Sequence, residues 1–209
     1  MTNSGLFITI EGTEGVGKST QCRMLCDALS KDSGRTVLTT REPGGTELGE
    51  AIRGLLLDPD LPAMHGTAEL LLVFAARAEH LERTIKPALA AGEIVVCDRF
   101  TDATFAYQGG GRGLDATLIT TLETLVQGQL RPDLTLVLDL DLTLAARRIH
   151  DRGDLDRFEQ ERGAFFERVR AAYLARAARE PERMKVVDAN ADPDTVHRRL
   201  LDHLEPLLR

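Results

Sequence analysis

Five short, nearly uninterrupted apolar runs punctuate this chain, at residues 6–10, 36–40, 93–97, 134–140 and 184–187. Runs of that length without polar alternation predict strands buried on both faces. Between them, apolar residues recur with helical spacing near residues 21–30, 47–57, 68–91, 115–127, 142–150 and 159–179, and a last helical pattern covers 193–208. Alternating strand and helix predicts an α/β fold: a parallel five-stranded sheet with helices on both faces and right-handed connections. Ligands in such sheets bind at the carboxyl ends of the strands. The 209 residues fit one such domain, spanning 1–209.

Two segments break the pattern. Residues 108–113, Gln-Gly-Gly-Gly-Arg-Gly, are too rich in glycine for a helix interior and predict a loop. Asp151, Arg152, Gly153 and Asp154 interrupt a highly charged stretch from Arg147 to Arg162, with Gly153 as a hinge. Charge runs are commonly solvated helix faces. A hinged stretch carrying Arg148, Arg152 and Arg157 also suits a mobile lid, at about residues 147–159.

The junction of the first strand and first helix carries the chemistry. Gly12, Thr13, Glu14, Gly15, Val16, Gly17, Lys18 and Ser19 fit the spacing of a glycine, four residues, then Gly-Lys and a hydroxyl, and Thr20 follows. At a strand-to-helix turn, glycines let backbone N–H groups curl round a phosphate, and the helix N-terminus adds partial positive charge. Lys18 then reaches the β- and γ-phosphates of a nucleoside triphosphate, and Ser19 offers its hydroxyl to Mg²⁺. Asp98 ends the third apolar run, where an acidic residue holds the metal directly or through water, and Arg99 follows it. Asp139 ends the fourth run and competes for the metal role; the Arg neighbour favours Asp98. On the long central helix, Leu70, Phe74, Arg77 and Leu81 share one face. An Arg on an apolar face needs a partner, and Phe74 beside Arg77 suits a planar base; a core Phe beside a snorkelling Arg is the alternative.

The 26 basic and 33 acidic residues give a net charge of −7, which argues against a polynucleotide partner. No run approaches the roughly 18 apolar residues of a membrane span, and the N-terminus has no export pattern, so a cytoplasmic location is expected. Cys22, Cys26 and Cys97 lack metal-ligand spacing and are expected as reduced thiols.

Five segments in order make the chain similar to thymidylate kinases, from near its N-terminus to its last helix. They are the phosphate loop with Glu14 inside it, Arg41 to Thr46, Phe74 to His80, Asp98 to Phe100 leading into Thr104 to Gly113, and Arg152 to Glu159. The resemblance implies a nucleoside-monophosphate-kinase fold and transfer of the ATP γ-phosphate to thymidine 5′-monophosphate (dTMP), with Mg²⁺. It implies that Phe74 stacks on thymine, that Arg77 bonds its O4, and that Thr104 or Gln108 reaches the base edge. Tyr107 would crowd the sugar 2′ position, Glu14 would contact the 3′ region, and Arg99 would bind the acceptor phosphate. The loop from Asp188 to Asp192 resembles the segment beside adenine. With no Arg inside the phosphate loop, the chain resembles the bacterial branch, whose catalytic Arg comes from the lid: Arg152 or Arg157, with Arg148 in support. Arg53 is a candidate phosphate contact. A homodimer through leucine- and alanine-rich helix faces is also implied.

Competing readings are a kinase for another nucleoside monophosphate, a nucleotide-dependent regulatory switch and a motor ATPase. A guanine-reading Asn-Lys-x-Asp string is absent, since Asn190 lacks the following Lys.

Overall fold

The computed structural model describes residues 5–152, 155–161 and 163–208, and of Asp32 and Arg152 the backbone alone. Strands β1 (Leu6–Glu11), β2 (Val37–Arg41), β3 (Ile94–Asp98), β4 (Leu134–Asp139) and β5 (Met184–Asp188) form one sheet. Its order is β2-β3-β1-β4-β5, and every neighbouring pair is parallel. The helices are α1 (Lys18–Asp32), α2 (Glu47–Leu57), α3 (Gly66–His80), α4 (Lys86–Ala90), α5 (Thr101–Thr104), α6 (Ala116–Gln127), α7 (Leu142–Arg152), α8 (Gly163–Arg179) and α9 (Pro193–Leu208).

Strand period two explains the double-sided sheet. Leu6, Ile8 and Ile10 of β1, with Ile94, Val96, Leu134 and Leu136, meet Leu25 and Leu29 of α1 and Leu200 and Leu204 of α9 on one face. Phe7, Val95 and Cys97 point the other way, against Leu81, Ile85 and Ala88. Each Leu, Ile, Val or Phe among them contributes about 1.5–3 kcal/mol on burial. Thr9 and Thr135 are the polar exceptions, and their hydroxyls bond each other at 2.8 Å.

Three segments differ from the sequence expectation by more than a few residues at an end. The helix expected over 68–91 is α3, a π-helical turn at Leu81–Ile85 and then α4. The helix expected from 159 begins at Gly163, after a turn in which Asp156 Oδ1 accepts from the amides of Phe158 and Glu159 at 2.8 and 2.9 Å. The glycine run is not a loop: residues Phe105–Gly111 form a π-helical segment continuous with α5. Packing overrides propensity there. A Cβ on Gly110 would stand 2.6 Å from that of Ala172, and one on Gly111 would enter the Phe165 ring, so the glycines allow α8 to approach.

Because β1 lies between β3 and β4, the chain leaves β1 toward one side of the sheet and later returns to the other. That reversal opens a crevice at the carboxyl ends of β1, β3 and β4, where Glu11, Asp98 and Asp139 stand.

Candidate active site

The phosphate loop folds as its spacing requires. Gly12, Gly15 and Gly17 have φ of 134°, 74° and 97°, a region that side-chain-bearing residues rarely adopt. Val16 is buried among the core residues of β1 and α1 and anchors the loop. Gly17 caps α1 with no side-chain hydrogen bond, leaving the first amides of the helix, including that of Thr20, directed to the loop. Lys18 Nζ donates to Thr13 O at 2.8 Å and stands 3.8 Å from Glu14 Oε2. Burial, then the Arg99 charge, pull the Lys18 ammonium below its ordinary range.

Ser19 Oγ donates to Asp98 Oδ2 at 3.3 Å, bringing two hard oxygen donors together beside the loop. That pair fits a small cation that keeps several waters. Asp139 is otherwise engaged: Arg170 grips it with Nε at 2.5 Å and Nη2 at 2.7 Å. Of the two strand-end aspartates, Asp98 is the one beside the phosphate loop.

Arg99 follows β3 with φ of 70°, the left-handed region. Glu11 Oε1 holds that bend by accepting from the next amide, Phe100 N, at 2.7 Å. The Arg99 guanidinium donates to Gly12 O at 2.8 Å, Glu14 Oε1 at 2.7 Å, and the hydroxyls of Tyr107 and Tyr173 at 2.9 and 3.2 Å. Burial opposes ionisation of Glu14, but Arg99 and Lys18 outweigh it and hold its carboxyl down to about 2. Burial likewise opposes the Arg99 charge, and Glu14 overcomes it, so Arg99 stays firmly cationic.

Beside this cluster lies a cavity of about 380 Å³, lined by Glu14, Lys18, Ser19, Arg53, Asp98, Arg99, Val73, Arg77, Thr104, Tyr107 and Gln108 among others, with Asp156, Phe158 and Glu159 of the lid region. At one end, Arg41, Arg53 and Arg99 gather. Arg53 donates to Pro43 O at 3.0 Å, and burial, then the Arg41 charge, lower its pKa. Mutually repelling cations lining a cavity are suited to an anion.

At the other end, Arg77 of α3 is 1% exposed. Its Nε donates to Glu42 Oε2 at 2.7 Å, and its Nη2 to Phe100 O at 3.1 Å and Thr104 Oγ1 at 2.9 Å. Its Nη1 is buried and has no hydrogen-bond partner among the described residues. An unpaired buried donor costs about 1–3 kcal/mol, so it is a place where a ligand acceptor is favoured. Phe74, expected to stack on the base, does not line this cavity. It packs with Leu70 and Ile119 in the core, and the preceding residue, Val73, forms the wall.

In the segment expected as a lid, Arg148 is exposed and stands 3.5 Å from Gly15 O, near the phosphate loop. Arg157, expected at the transferring phosphate, does not line this cavity. Its backbone amide donates to Leu57 O at 3.1 Å, its Nε to Leu56 O at 2.7 Å, and its Nη2 to Glu69 Oε2 at 2.7 Å. Buried Glu69 neutralises the guanidinium there, which ties the segment between α7 and α8 to α2 and α3. The Arg152 side chain, Gly153 and Asp154 lie outside the described residues. A second cavity, of about 180 Å³, opens between Thr13 and Glu14 of the loop and Ile149, Leu155 and Phe166. The loop from Asp188 to Asp192 lines neither cavity.

Sequence reading missed Glu42, Val73 and Glu69 as parts of this site. A signal existed for two of them. Glu69, Val73, Ala76 and His80 repeat the spacing of Leu70, Phe74, Arg77 and Leu81 one residue earlier, and Glu69 and His80 are both fully buried.

Known proteins match this geometry over nearly the whole chain. The family profile described as thymidylate kinase matches residues 10–200. The thymidylate kinase of Chromohalobacter salexigens is 60% identical over 202 residues, covering 96% of this chain and 95% of that protein. That of Pseudomonas entomophila is 58% identical, covering 97% and 96%. The crystal structure of thymidylate kinase from Ehrlichia chaffeensis superposes with a TM-score of 0.81 at 35% identity, covering 97% of this chain and all of that one. This chain belongs to the thymidylate kinase family.

Proposed function

We propose that this protein transfers the γ-phosphate of ATP to dTMP, giving dTDP and ADP, with Mg²⁺. The observation that carries the reading is the unpaired Nη1 of Arg77 in a cavity whose far end holds Arg53, Arg99 and the phosphate loop. A pyrimidine carbonyl at Arg77 directs the nucleotide's 5′-phosphate toward those arginines and Lys18.

The acceptor is a phosphate oxygen already anionic at neutral pH, so the reaction needs no general base. Its barrier falls through alignment and neutralisation of charge. The loop amides and Lys18 bind the donor phosphates. Arg99, held rigid by Glu11, Glu14 and the two tyrosines, orients the acceptor phosphate, with Arg53 beside it. Tyr107 lines the cavity where the sugar passes, and Glu14 faces its 3′ side. Ser19 and Asp98 would hold Mg²⁺, which would supply neutralisation of the donor's phosphate charge. Arg152 and Arg148 bring lid charge to the transferred group, and Arg157 keeps the lid seated. Val73, not Phe74, packs on the base. The lid excludes water, which would otherwise take the phosphate.

A homodimer is supported by an uncovered apolar surface: Leu48 and Leu55 of α2, Leu71 of α3, and Leu118 and Leu125 of α6 are each at least half exposed. No helix of the described residues is long and apolar enough to cross a membrane. Substrates drawn from the intracellular nucleotide pool support a cytoplasmic location.

The test is initial rates with ATP, Mg²⁺ and a panel of dTMP, dUMP, dCMP, CMP and GMP. Preference for dTMP by orders of magnitude is expected. A purine acceptor turned over faster than dTMP defeats the reading.

A further inference from the structure

We propose that Glu69 is a positioning residue that sets base specificity, by fixing which way the Gln108 side-chain amide points. The inference rests on the reading of the cavity as a nucleobase site, and it concerns a residue that does not line that cavity.

Glu69 is fully buried on α3. Its Oε1 accepts from Gln108 Nε2 at 2.8 Å and Arg112 Nε at 3.3 Å. Its Oε2 accepts from Arg157 Nη2 at 2.7 Å and lies 3.2 Å from Arg112 Nη2. A carboxylate offers about four acceptor positions and no donor, and here each is engaged. An amide beside such a group has one tolerable orientation: NH₂ toward the carboxylate, carbonyl oxygen away. The opposite orientation sets two oxygen atoms against each other in a buried site, the arrangement that low local polarity punishes most.

Gln108 is itself 3% exposed and lines the cavity. Among the described residues its Oε1 accepts no hydrogen bond. Arg77 lines the same cavity; its Nη1 has no hydrogen-bond partner among the described residues, and its Nη2 is tied to Thr104, four residues before Gln108. The wall therefore presents one donor, from Arg77, and one acceptor, from Gln108. Their complement is a carbonyl next to an N–H, the O4 and N3–H edge of thymine or uracil. A 4-amino pyrimidine carries a donor at position 4 and a bare nitrogen at position 3, so it meets donor with donor and acceptor with acceptor. Rotating the Gln108 amide by half a turn would remove half of that discrimination. Glu69 is what prevents the rotation. Through Arg157 the same carboxylate also holds the lid, so the amide is fixed when the lid is seated.

The experiment is Glu69→Gln in the full-length protein, with kcat/KM measured for dTMP and dCMP. Glutamine keeps the shape but can present either an NH₂ or an oxygen to Gln108. The expected result is a fall of about tenfold or more in the dTMP-to-dCMP ratio of kcat/KM, with KM for dTMP rising more than kcat falls. In a Gln108→Leu background, where no amide remains to orient, adding Glu69→Gln should leave the ratio unchanged. Equal losses for both substrates mark a structural role and overturn the proposal, as does an unchanged ratio. If Glu69→Gln does not fold, Glu69→Asp carries the same test, because it withdraws the carboxylate by one methylene; an unaltered ratio there overturns it equally. Failure of the unmutated protein to phosphorylate dTMP defeats the cavity reading instead, so the two failures are distinguishable.

Discussion

Glu42 and Arg77 form an ion pair at 2.7 Å with the two side chains 4% and 1% exposed. The second oxygen of Glu42 accepts from His80 Nδ1 at 3.0 Å, and His80 Nε2 pairs with Thr40 Oγ1 at 2.7 Å. The segment after β2 thus fixes a guanidinium on α3, and with it the direction of Arg77 Nη1. Removing a partner from such a buried pair costs about 3–5 kcal/mol, a large part of the roughly 5–15 kcal/mol that holds a domain together. Glu42→Ala is therefore expected to fold poorly.

Glu42→Gln preserves shape while removing charge, and isolates the functional effect. Arg77 then loses a charge-assisted bond of about 1.5–3 kcal/mol. KM for dTMP should rise about tenfold or more, while KM for ATP stays within about twofold and the melting temperature falls by a few degrees. Steady-state kinetics with each substrate varied in turn checks this. Equal increases in both KM values would show that Glu42 supports the whole crevice and not the base end of it.

How much of this was legible before folding depends on the range of the signal. The strands, the phosphate loop and the Ser19–Asp98 corner follow from local runs and strand ends, and the structure has them where the pattern puts them. That Val73 lines the cavity where Phe74 was expected has a geometric origin: adjacent helical residues point about 100° apart, and a broad buried face includes both. Arg77 on an apolar face signalled a partner, but Glu42 is 35 residues away in sequence. Gln108 lies 39 residues from Glu69. Periodicity holds no information about such pairings. The glycine run misled for a different reason, since backbone propensity favours a loop while the close approach of α8 requires small residues in a helix-like turn.

Arg157 is expected to act on the lid rather than on the transferred phosphate. Its guanidinium bridges Leu56 O and Glu69, and it lies 4.6 Å from the centre of the Phe158 ring. Loosening that attachment admits water to a site that must exclude it. Arg157→Ala should lower dTMP phosphorylation and raise acceptor-independent ATP hydrolysis relative to transfer. Arg148→Ala, which removes a charge beside Gly15, should lower both together. Parallel assays of ADP formation with and without dTMP separate the two. An Arg157→Ala enzyme with an unchanged ratio of hydrolysis to transfer would return Arg157 to a direct role in the chemistry.

Glu11 gives a pH signature. Burial, then the charge of Asp102, push its carboxyl from an ordinary 4.5 up to about 7, against the opposing pull of Arg99 and the hydrogen bonds from Tyr173 and Phe100. The folded protein therefore keeps a proton there that the unfolded chain releases near pH 4.5. Stability from this group is complete below that pH, declines as pH rises toward 7, and is gone above it. At about 1.4 kcal/mol per pH unit the full effect is on the order of 3 kcal/mol. Glu11→Gln mimics the protonated form and abolishes the titration. Denaturant unfolding at pH 5, 6, 7 and 8 should show the unmutated protein losing stability relative to Glu11→Gln across that span. A constant difference between the two would mean that Glu11 keeps one protonation state throughout. Because Glu11 also holds Phe100 N behind the left-handed bend at Arg99, its ionisation bears on how rigidly the Arg99 guanidinium is held.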